Sequence, residues 1–138
     1  MKTKLVGALT LVFLLMIQLS FAQSARETPK VTKGMIKVSI LYPNGEGKTF
    51  NIDYYASKHM PLVKSLYGEN VKIISIDKGL ANGVPNAPMP YLAVGYLYFD
   101  SMASLQNAMA GSASAKLMAD IPNFTNTQPI IQINEVVQ

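Results

Sequence analysis

The sequence predicts an α+β domain whose elements follow one another as strand, helix, strand, strand, helix, strand. Three observations carry that prediction. Apolar and polar side chains alternate over residues 35–42, apolar side chains recur at helical spacing over 51–67, and residues 91–99 are apolar on both faces.

Of the 138 residues, the first 22 read as a secretory signal peptide. Lys2 and Lys4 precede an apolar run that ends in Ser20 and Ala22, small residues at the −3 and −1 positions of a cleavage site before Gln23. The run approaches the length of a short membrane anchor, but it ends in a processing site and not in a basic flank. The chain is therefore expected to be exported, periplasmic or secreted, with no membrane attachment after cleavage. Residues 23–34 are polar and form a flexible lead-in, and 35–138 form one domain.

Removal of the leader takes two of the twelve Lys and Arg and leaves ten against eight acidic residues. No basic patch with interleaved aromatics remains, so nucleic acid is not an expected partner. Zero cysteines exclude a disulfide framework, and with a single histidine they argue against a zinc site built by the protein. There is no phosphate-binding glycine loop and no dinucleotide fingerprint, so no cofactor is expected on motif grounds.

The elements follow in order. In the first strand Ile36, Val38 and Ile40 share one face, with Lys37, Ser39 and Leu41 on the other. The turn "PNGEGK" ends it. Asn51 is a good N-cap for the first helix and Asp53 supplies first-turn charge. At 100° per residue Ile52, Tyr55, Ala56, His59, Val63 and Leu66 form its apolar stripe, and Tyr54 faces out. Gly68 ends the helix. Residues 71–80 form the second strand, whose facing the residues do not decide. The proline-rich loop 81–90 is long for a compact domain and is a candidate lid or binding loop. The third strand is central, because it is apolar on both faces. Asp100 and Ser101 cap a second helical region, weakened or broken near Gly111, and "IIQINEVV" makes the last strand.

This βαββαβ order is the ferredoxin-like signature: a four-stranded antiparallel sheet with two helices on one face. The other face mixes Lys37, Ser39 and Leu41 with Ile130, Gln132 and Asn134 beside a tyrosine-rich strand. It is too apolar to leave to water, and a second copy of the chain is expected to cover it.

Any acid/base chemistry near neutral pH points to His59, the one imidazole. It sits mid-stripe, one helical turn from Tyr55, two residues before a proline that should kink the helix. It is either a core histidine bonded to a carbonyl or tyrosine, or a general acid/base at the edge of an apolar cavity. Tyr55 is either a core aromatic with a satisfied hydroxyl or a group that polarises His59 or binds a substrate oxygen. Tyr96 and Tyr98 are candidates for substrate binding or for packing. Asp120, before a proline, suits a turn or a cap, or a place in the site.

The ordered motifs "MIKVSILYPN", "DYYASKHMPLV", "YLYFDS" and "MADIPNFT" resemble the EthD family of the dimeric α/β-barrel superfamily, over residues 35–137. The family's H-x-P-L pattern falls on His59, Pro61 and Leu62, and its D-I-P-N motif on Asp120, Ile121, Pro122 and Asn123. Members often carry a second histidine in the third strand, where this chain has Tyr96, so a two-histidine site is not available. The resemblance implies a homodimer whose sheets pair into a barrel. It fixes no chemistry. The wider superfamily includes cofactor-free monooxygenases, decarboxylases, cyclases and haem-degrading enzymes. Three functions follow. The first is a cofactor-independent enzyme (an oxidoreductase, decarboxylase or related activity) using His59 on a small apolar or aromatic molecule. The second is a non-catalytic binding or accessory protein with the same pocket, and the third is haem or flavin handling.

Overall fold

The computed structural model describes residues 28–138. The segment expected to be a signal peptide and the start of the expected lead-in lie outside the described residues. The end of the lead-in is tied down: the Gly34 amide donates to the Val136 carbonyl at 2.7 Å, and the Val136 amide to that of Met35 at 2.8 Å.

Four strands form one antiparallel sheet: β1 (Ile36–Pro43), β2 (Val71–Lys78), β3 (Tyr91–Phe99) and β4 (Ile130–Glu135), in the order β2-β3-β1-β4. Between β1 and β2 runs α1, residues 52–67, in three segments: α-helical Ile52–Tyr54, a π turn Tyr55–His59, and α-helical Met60–Tyr67. Between β3 and β4 run α2 (Met102–Met109) and α3 (Ala113–Asp120). The second helical region, read as weakened or broken near Gly111, is broken there, since Gly111 adopts φ +69°. The architecture is the ferredoxin-like α+β fold, with all helices on one face.

Strand register settles which residues meet the helices. Val38 and Tyr42 of β1 and Ala93, Leu97 and Phe99 of β3 pack with Tyr55, Met60, Val63, Leu105, Ala108 and Leu117 in one core. A bulge between Val71 and Ile73 sets the facing of β2: Ile74 and Ile76 go to the core side, and Ser75 pairs with Tyr96 on the open side. Across the sheet Tyr96 and Tyr98 join Lys37, Ser39 and Asn134; Lys37 Nζ lies 5.4 Å over the Tyr96 ring, and Asn134 donates to Ser39 at 3.0 Å. In the single chain these tyrosines are half-buried, so β3 is central but covered on one face only.

The burial stripe of α1 departs from the regular-helix expectation. Ala56 is exposed, while Met60 and Tyr67 are buried. The π turn adds one residue, so every later position shifts in phase. Lys64 then closes the helix end, donating to the Gly68 and Val71 carbonyls at 3.0 Å each.

The loop between β2 and β3 is braced by its own side chains. Asn82 accepts from the Val84 amide at 2.9 Å and donates to the Pro88 carbonyl at 2.7 Å, and Asn44 donates to the Met89 carbonyl at 2.9 Å. It lines neither cavity described below.

Gly95 is the tightest point of the core. A Cβ there would collide with the Tyr55 hydroxyl and come within 2.7 Å of Met60 Cε. That hydroxyl is sealed in the core without a hydrogen-bond partner, which costs stability. Gly95→Ala should destabilise the protein by about 1–3 kcal/mol in urea unfolding. Tyr55→Phe should be neutral or stabilising by up to about 1 kcal/mol. The double variant should lose less than the sum of the two effects, and strict additivity would disprove the clash.

Candidate functional site

Two distant segments are stitched together before any functional side chain is placed. The Asn51 amide donates to the Phe124 carbonyl at 2.7 Å, Thr125 Oγ1 to the Thr49 carbonyl at 2.7 Å, and Phe50 bridges Thr125. Asn51 caps α1 as predicted, accepting from the Tyr54 amide at 3.0 Å. This seam lays the start of α1 against the turn Ile121–Asn123 that follows α3.

The π turn then aims His59. Met60 N–H bonds the Tyr55 carbonyl, five residues back. Pro61 has no N–H, and its ring clashes with the carbonyl four residues earlier, that of Ser57, so the chain widens just ahead of it. His59 is 6% exposed. Its ring stacks on Tyr55 (5.5 Å between centroids, 15° between planes) and tilts against Phe124 at 4.7 Å. Tyr42, Phe50 and Tyr54 also surround Phe124, so the imidazole has little freedom to rotate.

His59 Nδ1 lies 2.8 Å from Asp120 Oδ2. Asp120 Oδ1 accepts from the Tyr54 hydroxyl at 2.9 Å and from Asn123 Nδ2 at 2.8 Å. Burial by itself would raise the Asp120 carboxyl. The bonds from His59, Asn123 and Tyr54, with the attraction of His59, outweigh it and hold the group below the usual carboxylate range. An ionised carboxylate only accepts, so the proton belongs on Nδ1 and the lone pair on Nε2. The Tyr54 hydroxyl is raised, first by its bond to Asp120 and then by burial. Nε2 takes no partner among the described residues. It is not sealed off either, because the Tyr55 hydroxyl is the buried unpartnered polar side-chain atom there.

Beside His59 lies a cavity of about 130 Å³, walled by Ile40, Tyr42, Val63, Tyr67, Leu97, Met109, Ser114, Leu117, Met118, Ile121, Pro129 and Ile131. A wider depression of about 570 Å³ opens along Thr49–Asp53 and Pro122–Asn126, on the surface of the seam.

Of the residues singled out from the sequence, His59 and Asp120 come together. Tyr55 stacks on His59 but lines neither cavity. Burial pushes its hydroxyl far up, reinforced by Tyr42; Tyr42 itself is pushed up to about 12 by burial, partly offset by Tyr55. The two hydroxyls influence each other without hydrogen-bonding geometry between them. Tyr96 and Tyr98 lie across the sheet from His59. Tyr96 is raised by burial, then by Asp77 and Tyr98. Tyr54, read as facing out, reaches Asp120 instead, and Asn123 joins it. A helical wheel does not show either contact, because both depend on a partner beyond the helix. Among the described residues no three of His, Cys, Asp and Glu cluster as metal ligands.

The EthD domain family model matches residues 45–128, a narrower stretch than the motifs span. An EthD-like protein from Ralstonia eutropha JMP134 is 37% identical, with TM-score 0.71 over 78% of this chain and 96% of that one. An 11.0 kDa protein from the thcB–thcC intergenic region of Rhodococcus erythropolis is 29% identical over 92 residues, 67% of this chain and 85% of its own length. SnoaB, a cofactor-independent oxygenase from Streptomyces nogalater, shares the fold at 7% identity and TM-score 0.50, over 78% of this chain and 96% of that one. The chain belongs to the EthD family.

The lowered Asp120 carboxyl has a consequence for stability. Its contribution is present above the unfolded value of about 3.9 and is lost as pH falls through the lower folded value. The stability gap between wild type and Asp120→Asn should be full at neutral pH and shrink below about pH 4. A gap that stays constant into acid, measured by urea unfolding, would exclude the ionised pair.

Proposed function

We propose that this EthD protein is a cofactor-independent enzyme acting on a small apolar or aromatic molecule, with His59 as general acid/base. One observation carries the reading: buried His59, paired through Nδ1 with Asp120, lines an apolar cavity and has no partner for Nε2 among the described residues. The carboxylate fixes the tautomer and would face the imidazolium formed when Nε2 takes a proton. Removal or return of a proton at Nε2 serves an oxidation or a decarboxylation equally. The shared fold with a cofactor-independent oxygenase supports this reading at the level of fold. The cavity also lies below the roughly 300–1,000 Å³ of pockets for drug-sized ligands, which disfavours a haem or a flavin there.

Export belongs to the same proposal and rests on the leader-like pattern of residues 1–22. So does a homodimer, with Tyr96 and Tyr98 at its centre, supported by the half-buried tyrosines of the open sheet face.

Purified protein, aerobic and without added cofactor, should convert a member of a panel of small aromatic and carbonyl compounds, read by mass spectrometry. His59→Gln should lower that turnover about 10²–10⁴-fold with the fold intact. Turnover unaffected by His59→Gln would sink the acid/base role. Ligand binding without any turnover would favour the non-catalytic reading. In sedimentation the wild type should run at twice the chain mass and Tyr98→Glu at the monomer mass. A monomeric wild type would refute the pairing.

A further inference from the structure

The cavity beside His59 limits what can occupy it. Its volume of about 130 Å³ is close to the roughly 150 Å³ apolar cavity that holds one benzene ring. Buried Val63, Leu97 and Leu117 form its floor, and half-exposed Met109, Met118 and Ile131 form its mouth. The Ser114 hydroxyl in the wall is already donated to the Met109 carbonyl at 3.3 Å. His59 is one of the lining residues, and because its Nδ1 gives its proton to Asp120 at 2.8 Å, its lone pair is on Nε2. An apolar space with a basic acceptor selects a molecule that is apolar except for one acidic donor.

We propose that the ligand is a single-ring molecule carrying one weakly acidic O–H, a phenol or a cyclic enol, seated with its O–H toward His59 Nε2. The assignment rests on the acid/base reading of His59 and names the substrate class for it. In the step it implies, the O–H bond breaks and an N–H bond forms at Nε2. The electron pair stays on the ligand oxygen, and Asp120 faces the new imidazolium. A fused second ring has no room unless the Met109 and Met118 side chains move from the mouth.

The test is calorimetric titration of the full chain with phenol, benzene and 2-naphthol, with the ring signals of its one histidine followed by NMR. Phenol should bind about tenfold more tightly than benzene, the discrimination expected of one hydrogen bond to a basic acceptor. It should also bind more tightly than 2-naphthol and move the His59 signals. His59→Phe should erase the advantage over benzene, and the wild-type competition stands even if that variant does not fold. Equal binding of phenol and benzene would overturn the proposal. So would tighter binding of 2-naphthol, phenol binding that leaves the His59 signals unmoved, or no binding at all. The two readings fail separately. His59-dependent turnover of a larger substrate without a phenol preference overturns the ligand class and leaves the acid/base role. A phenol preference without turnover does the reverse.

Discussion

Asp120 is the group on which the rest of the arrangement depends. A carboxylate at the end of α3 accepts from His59, Tyr54 and Asn123 at once, with its side chain only 14% exposed. Placing it there removes it from water, and three donors offset that loss where one would not. Every contact of the seam between the start of α1 and the turn after α3 serves to hold those donors at bonding distance. Removing any one donor leaves a charge partly desolvated and short of partners, so the four residues form a unit rather than a set of pairs.

The aromatic cluster supplies what hydrogen bonds alone would not. A single bond from Nδ1 leaves an imidazole free to swing about it. Tyr55 on one side and Phe124 on the other remove that freedom, so Nε2 holds its direction before any ligand arrives. The same crowding has a cost, borne by the Tyr55 hydroxyl and by the glycine beneath it. Rigidity around His59 is thus bought with an unsatisfied polar atom in the core.

Much of this was legible in the sequence, and the gaps have physical causes. Alternation exposed the facing of β1, where each strand residue keeps a period of two. It did not decide β2, because a bulge interrupts that period near Lys72. The stripe on α1 placed Tyr55, His59 and Val63 inward correctly. It misplaced Ala56 and left out Met60 and Tyr67, because the wheel assumes 3.6 residues per turn and the π turn violates it. His59 and Asp120 were both visible as candidates, one by its position on the stripe and one through a motif. Their contact joins residues 61 apart, a separation that local patterning does not read. Tyr54 was missed for the same reason. Its outward direction on the helix is the direction in which α3 lies.

The π turn has one more implication, for how such a site could arise and be lost. A turn of this kind is equivalent to a regular helix carrying one surplus residue. Deleting a single residue between positions 55 and 59 would restore an ordinary helix, and the chain would still have every residue type a search would look for. The wide turn takes up that residue, so the helix on either side would keep its course while the turn closes, and Tyr55 and the imidazole would stand three positions apart instead of four. The imidazole would lose the direction that the wide turn gives it toward Asp120 and Phe124. Among relatives, the length of this segment therefore carries information that residue identity does not: a homologue that keeps the histidine and the aspartate but is one residue shorter here has the parts without the assembly.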